Sequence, residues 1–153
     1  MKASINNQQT TLFKAEEPLA YRIRPISIDE IVGQKHLLEV LTNYLKNNAP
    51  YSIVLWGLPG SGKTTIAFLI KSTSKKEFVY LSGASTNISE LREVITKAKL
   101  MPGNVILFID EIHRLAKNQQ DVLLEPLESG QMILIGTTTE NPLISLTRAL
   151  HSR

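Results

Sequence analysis

Residues 57–64, which read GLPGSGKT, have the types and spacing of a loop that binds nucleotide phosphates. They fit the pattern G-x-x-x-x-G-K-[ST] and lie between an apolar run and a segment with helical periodicity, as that motif requires. The glycines let backbone N–H groups converge on the phosphates, while Lys63 neutralises phosphate charge and the Thr64 hydroxyl binds Mg²⁺. The predicted nucleotide contacts are Gly57, Pro59, Gly60, Ser61, Gly62, Lys63, Thr64 and Thr65.

Two adjacent carboxylates, Asp110 and Glu111, follow a second apolar run at 105–109. Ligands bind at the carboxyl ends of the strands in open α/β sheets, so both carboxylates are expected beside the phosphate loop. We assign Asp110 to Mg²⁺, through water, and Glu111 to the activation of an attacking water. The predicted reaction is hydrolysis of the β–γ bond. A kinase that acts on a small molecule needs no such glutamate and is the less favoured alternative.

Further polar residues follow the last apolar run, where the sequence reads GTTTEN at 136–141. Thr139 is predicted to sense the γ-phosphate or the attacking water if its strand neighbours that of the carboxylates, and a plain Thr-rich turn is the alternative. His113 completes the letters of a DExH helicase box. The short spacing from Lys63 to Asp110 and a length of 153 residues leave no room for the two core domains of such a helicase.

The apolar runs and the segments between them predict alternating strands and helices. Each run is short and rich in β-branched or aromatic residues, which favours strands buried on both faces. These runs lie at 52–56, 78–81, 105–109 and 132–135, with helical patterns at 63–73, 89–100 and 118–129. Upstream, a capping box predicts a short helix at 27–30, and Leu37, Leu38, Leu41, Tyr44 and Leu45 repeat at helical spacing. The pattern predicts an α/β fold with a parallel sheet and helices on both faces.

Composition is that of one globular domain. The chain has 42% hydrophobic and 20% charged residues and a net charge of +3, and it contains no cysteine. Disulfides, thiolate zinc sites and cysteine nucleophiles are therefore excluded, and three scattered histidines make a metal cluster improbable. No apolar run is long enough for a signal sequence or a membrane span, so no membrane partner is expected. We predict a flexible tail at 1–17 and one nucleotide-binding domain at 18–153.

Beyond these motifs, the chain resembles an AAA+ ATPase of the clamp-loader branch. The segments YRIRP at 21–25 and IVGQ at 31–34 resemble the box that precedes the phosphate loop in clamp-loader subunits and in the RuvB branch-migration motor. Four further runs, at 34–38, 110–114, 117–121 and 136–142, are most similar to the replication-associated recombination protein A family. The resemblance extends from about residue 18 to residue 153.

The resemblance implies further roles and partners. It implies that Arg24, Ile31 and Val32 contact adenine, that Thr139 is the sensor-1 residue, and that Arg153 of the Ser-Arg box enters the ATP site of a neighbouring subunit. ATP and Mg²⁺ are the implied cofactors. The implied partners are further copies in a ring or tetramer, DNA ends, forks or single-strand/double-strand junctions, and single-strand DNA-binding protein. The implied setting is a cytoplasmic, nucleoid-associated role in replication-coupled recombination and repair.

The resemblance also implies the sheet order 5-1-4-3-2, with strand 5 and a helical lid following the Ser-Arg box. Since the chain stops at Arg153, we expect both to be missing from it and strand 1 to form an open edge. Marginal stability or association, and poor ATP hydrolysis by the chain alone, would follow. The alternative is a catalytically incomplete partner that binds nucleotide and offers Arg153 to a longer AAA+ subunit.

Overall fold

A computed structural model of the chain describes residues 35–47 and 51–153. Strands alternate with helices along these residues, as the sequence pattern predicts. The strands are β1 (Ile53–Trp56), β2 (Glu77–Ser82), β3 (Val105–Asp110) and β4 (Met132–Thr138). The helices are α1 (Lys35–Lys46), α2 (Lys63–Thr73), α3 (Ile88–Leu100), α4 (Lys117–Glu128) and the short α5 (Pro142–Ser145) and α6 (Arg148–His151), with a 3-10 turn at Ile112–Arg114.

The four strands form one parallel sheet in the order β1-β4-β3-β2. This confirms the expected order for these four strands. The register pairs Trp56 with Thr138 and Ser82 with Asp110. Because all the strands run in one direction, the segments that follow β1, β3 and β4 meet at the carboxyl edge of the sheet, where open α/β folds bind ligands.

Burial differs between the central and the edge strands. All of β4 is buried, and so are the first five residues of β3. The expectation that all four strands are buried on both faces is wrong for β1, which exposes Val54 and Trp56, and for β2, which exposes Glu77 and Tyr80. A strand with a neighbour on one side only receives less cover from the helices than a central strand does.

The hydrophobic core has one part on each face of the sheet. On one face, α3 and α4 pack against the β3 and β4 side chains that include Leu107 and Leu134. On the other face, α1 and α2 pack against Phe108 and Ile135. Since side chains alternate along a strand, Asp110 and Thr137 continue the second set. Both residues therefore lie on the face that carries α2, the helix after the phosphate loop.

Two polar contacts mark element boundaries. Asn87 caps α3: its Oδ1 accepts from the Glu90 amide at 3.0 Å, and the Glu90 carboxylate accepts from the Asn87 amide at 3.1 Å. The Tyr44 hydroxyl of α1 donates to the Tyr51 carbonyl at 2.6 Å. Burial is the larger cause and the electrostatic effect of Tyr51 the smaller cause that raise the pKa of Tyr44. The phenol therefore stays protonated and can donate this hydrogen bond.

Several expectations lie outside the described residues: the tail at 1–17, the short helix at 27–30, and the adenine contacts of Arg24, Ile31 and Val32. Within the described part of the chain, no helix has the length and apolar character needed to cross a membrane.

Candidate functional site

The phosphate loop, residues 57–64, follows β1 directly and bends on its glycines. Gly60 and Gly62 adopt φ values of 74° and 86°, a left-handed conformation that costs other residues free energy. Gly62 precedes α2 without a side-chain cap, so no capping side chain competes for the first amides of that helix. A run of backbone donors at a helix N-terminus is suited to bind an anion.

Lys63 folds back over its own loop. Its Nζ donates to the carbonyl oxygens of Gly57 and Leu58, both at 2.7 Å. An ammonium has three donors and no acceptor, and these bonds hold the Lys63 charge against the backbone of its own loop. Phosphate oxygens would replace these carbonyls as its partners.

A cavity of about 550 Å³ borders the phosphate loop. Trp56, the single tryptophan of the sequence, is 59% exposed and lines this cavity. The other lining residues are Val54, Leu55, Gly57, Leu58, Ser61, Lys63 and Ile66. An indole in this position is a natural fluorescence probe for a ligand of the loop.

Asp110 ends β3 and is held by a threonine of β4. The Thr137 hydroxyl donates to Asp110 Oδ1, and the Thr137 hydroxyl oxygen accepts from the Glu111 amide at 3.1 Å. Thr137 is 1% exposed. The two carboxylate residues are therefore tied to the neighbouring strand by one buried hydroxyl.

Glu111 has an unusual backbone. Its φ is 54°, and it is the non-glycine residue with positive φ in the described part of the chain. Its carbonyl accepts from the Arg114 amide at 2.9 Å, and its Oε2 pairs with Arg114 Nε at 3.1 Å. Gly83, after β2, approaches so closely that a Cβ there would overlap the Glu111 carbonyl oxygen. Such conformations cost free energy and cluster at active sites.

The end of β4 connects the phosphate loop to the turn at 110–114, which we call the carboxylate turn. The Gly57 amide donates to the Thr138 carbonyl at 3.2 Å, and the Thr138 hydroxyl lies 3.1 Å from His113 Nδ1. The side chain of His113 is 9% exposed, and its Nε2 lies 3.9 Å from Glu140 Oε1. His113 therefore fills a packing position between the carboxylate turn and the end of β4.

The structure brings some of the predicted residues together and separates others. Lys63 and Thr64 lie at the same sheet edge as Asp110 and Glu111, with β4 between β1 and β3. Thr139 is exposed and follows β4 directly. Arg153 pairs with Glu128, which ends α4 just before β4 begins, so it lies towards the opposite edge of the sheet from Lys63.

Sequence reasoning missed two residues of this site, Thr137 and Gly83. The threonine run at 137–139 drew attention to Thr139 alone, although strand alternation would have placed Thr137 on the face of Asp110. For Gly83, the sequence showed only a glycine near the end of β2. Its close approach to Glu111 depends on the pairing of β2 with β3.

The residues present suit a nucleotide with Mg²⁺. The described residues contain no cluster of three or more His, Cys, Asp and Glu side chains placed to hold a metal. Mg²⁺ does not need one, because it is held through one or two protein oxygens together with phosphates and water. The Thr64 hydroxyl and the Asp110 carboxylate are oxygen donors of this kind.

Comparison with known proteins identifies a family of P-loop domains. Residues 23–149 match the family model described as the Holliday junction DNA helicase RuvB P-loop domain. The chain is 42% identical over 142 residues to replication-associated recombination protein A of Haemophilus influenzae, covering 89% of this chain and 32% of that protein. The Escherichia coli K12 protein of that name is 39% identical over 143 residues, with 90% and 32% coverage. The chain thus spans about a third of the length of these relatives.

Solved structures agree with the fold. The Thermotoga maritima RuvB Holliday junction branch migration motor superposes with a TM-score of 0.70 and 29% sequence identity. The superposition covers 85% of this chain and 46% of that chain.

Proposed function

Because the chain belongs to the RuvB P-loop domain family and resembles replication-associated recombination protein A, we propose that it binds ATP with Mg²⁺ and hydrolyses it in a DNA-associated AAA+ ATPase of replication-coupled recombination and repair. One observation carries the chemical part of this proposal. The phosphate loop and the carboxylate turn are both hydrogen-bonded to the last two residues of β4, through Gly57 to Thr138 and through Asp110 to Thr137.

Each residue has a role in this proposal. The loop amides and Lys63 hold the β- and γ-phosphates, with Lys63 exchanging its carbonyl partners for phosphate oxygens. Thr64 and Asp110 hold Mg²⁺, which when bound neutralises charge on the phosphate oxygens. The nucleotide contacts extend over Gly57, Pro59, Gly60, Ser61, Gly62 and Thr65, with Arg24, Ile31 and Val32 at the adenine.

Glu111 is the proposed proton acceptor for hydrolysis. Its carboxylate takes a proton from the attacking water as the water oxygen bonds to the γ-phosphorus and the bond to the β-phosphate oxygen breaks, giving ADP and phosphate. Arg114 occupies Oε2, so we assign Oε1 to the water. Thr139, exposed beyond β4, is the proposed sensor of the γ-phosphate.

Arg153 is proposed to act on a neighbouring copy. Within its own chain, Arg153 forms an ion pair with Glu128, which lies towards the sheet edge opposite the phosphate loop. A guanidinium placed there cannot serve its own site without a rearrangement, whereas a neighbour could receive it, with a large effect on rate. Assembly into a ring or tetramer, and action on DNA ends, forks or single-strand/double-strand junctions with single-strand DNA-binding protein nearby, are parts of the same proposal.

The test combines binding and turnover. Titration with ATP and ADP in Mg²⁺, followed by the fluorescence of Trp56, should show saturable binding. Steady-state phosphate release is then measured with and without double-stranded DNA ends. Glu111→Gln should keep ATP affinity within about twofold and lose hydrolysis by a factor on the order of 100 or more.

Two outcomes would contradict the proposal. If the unmodified chain gives no saturable fluorescence change and no binding by calorimetry, the nucleotide site itself is wrong. If the parent chain releases phosphate at a measurable rate and Glu111→Gln releases it at the same rate, the role of Glu111 is wrong although nucleotide binding stands. Glu125→Gln, an exposed carboxylate of α4, is the matched control and should behave as the parent does.

A further inference from the structure

The Thr137 hydroxyl forms hydrogen bonds with two groups of the carboxylate turn. It accepts from the Glu111 amide at 3.1 Å and donates to Asp110 Oδ1. A hydroxyl has a single proton, so accepting from an amide leaves that proton for the carboxylate. Thr137 is 1% exposed, which keeps water from competing for either bond.

The two bonds act on different parts of the site. The bond to Asp110 holds one carboxylate oxygen and thereby sets the direction of the other, Oδ2. The bond to Glu111 satisfies an amide whose residue sits in a left-handed backbone conformation, with φ at 54°. The site of this bond is partly buried, and an amide left there without a partner costs free energy, so the bond helps to keep the conformation.

We propose that Thr137 is the positioning residue of the site: its hydroxyl orients Asp110 towards Mg²⁺ and holds the backbone from which Glu111 reaches the attacking water. This inference rests on the proposed function, since it gives Asp110 a metal to face. A partner that orients a metal ligand is commonly worth a factor of 10 to 100 in metal affinity or activity.

Packing alone does not account for a threonine at this position. Valine has nearly the same shape and would fill the same space, but it would leave the Glu111 amide and one oxygen of Asp110 without this partner. Serine would keep the hydroxyl and lose only a methyl group. The pair Thr137→Val and Thr137→Ser therefore separates the hydroxyl from the volume.

The main test measures how much Mg²⁺ strengthens nucleotide binding. The affinity of the 153-residue chain for ADP and for ATP is measured through Trp56 fluorescence, once in excess Mg²⁺ and once in EDTA. We expect Thr137→Val to reduce the gain that Mg²⁺ provides by about tenfold and to leave the affinity in EDTA within about twofold. Thr137→Ser should retain the gain.

A matched control addresses the general cost of replacing a buried threonine by valine. Thr86 is 8% exposed, and the hydrogen bonds that hold Asp110 and Glu111 come from other residues. Thr86→Val should retain the full effect of Mg²⁺. The inference is overturned if Thr137→Val responds to Mg²⁺ as the parent chain does, or if Thr137→Ser loses as much as Thr137→Val.

A second measurement needs no nucleotide. Hydrogen exchange of the Glu111 amide, followed by NMR, should be slow in the parent chain and in Thr137→Ser and faster by about tenfold or more in Thr137→Val. Equal exchange in all three would overturn the inference. If the parent chain binds no nucleotide, the proposed function fails, whereas the exchange rates still decide whether Thr137 holds Glu111.

Discussion

The phosphate loop and the carboxylate turn are built in different ways. The loop follows β1, an edge strand of the sheet that the described residues form. Its Leu58 is 79% exposed, and its lysine bonds to carbonyls five and six residues away. The carboxylate turn follows a central strand, and its contacts come from Gly83 after β2 and Thr137 in β4. The phosphate loop is exposed and held by contacts between residues close in sequence, whereas the carboxylate turn is held by residues from three strands.

This difference predicts different responses to mutation. A change in the loop should affect ligand binding more than stability, because few contacts with the rest of the fold depend on it. A change in the carboxylate turn should affect stability as well, because residues of β4 and of the segment after β2 form hydrogen bonds with its backbone.

The largest expected effect is that of Lys63→Ala on nucleotide affinity. Removal of the ammonium leaves the phosphates without their side-chain cation, and we expect affinity for ATP to fall by a factor on the order of 100 or more. The unfolding midpoint in urea should barely change, since the bonds of Lys63 among the described residues all lie within its loop. Lys75→Ala, which removes an exposed lysine beyond α2, is the control for net charge. If the two variants lose the same amount of ATP affinity, the loss reflects net charge, and the phosphate loop is not the nucleotide site.

The next largest effect concerns stability, in a matched pair of glycines. Gly83→Ala should lower the free energy of unfolding by about 2 kcal/mol, because a Cβ would overlap the backbone carbonyl of Glu111. A Cβ at Gly60 meets no atom of the described residues within 4 Å, so Gly60→Ala bears the strain of φ at 74° and is expected to cost about 1 kcal/mol. Urea unfolding measures both. If Gly60→Ala costs more than Gly83→Ala, the contrast between the two regions fails.

The smallest effect is expected for the ion pair of the carboxylate turn. Arg114 and Glu111 have side chains that are 55% and 44% exposed, and such pairs contribute at most about 1 kcal/mol. We expect Arg114→Ala to change the free energy of unfolding by less than that amount, with the Glu111 amide still protected from exchange. A loss of that protection would show that the ion pair, rather than Thr137, holds the turn.

Much of the fold was predictable because its signals are local. The three helices at 63–73, 88–100 and 117–128 and the four strands match predicted segments within a few residues. Periodicity and short apolar runs reflect which faces are buried, and burial is set within each element. The extra length of β4 was missed because its last residues, Thr137 and Thr138, are polar although both are 1% exposed.

The sequence by itself determined the phosphate loop, with its lysine and glycines, because all its parts lie within eight consecutive residues and their backbone geometry follows from residue type. It also determined that two carboxylates end a buried strand. Tertiary structure alone decided which polar group holds them. Three threonines follow one another at 137–139, and only the parallel register of β3 with β4 places the hydroxyl of Thr137 against Asp110, because hydrogen bonds between strands depend on pairing that no single segment encodes.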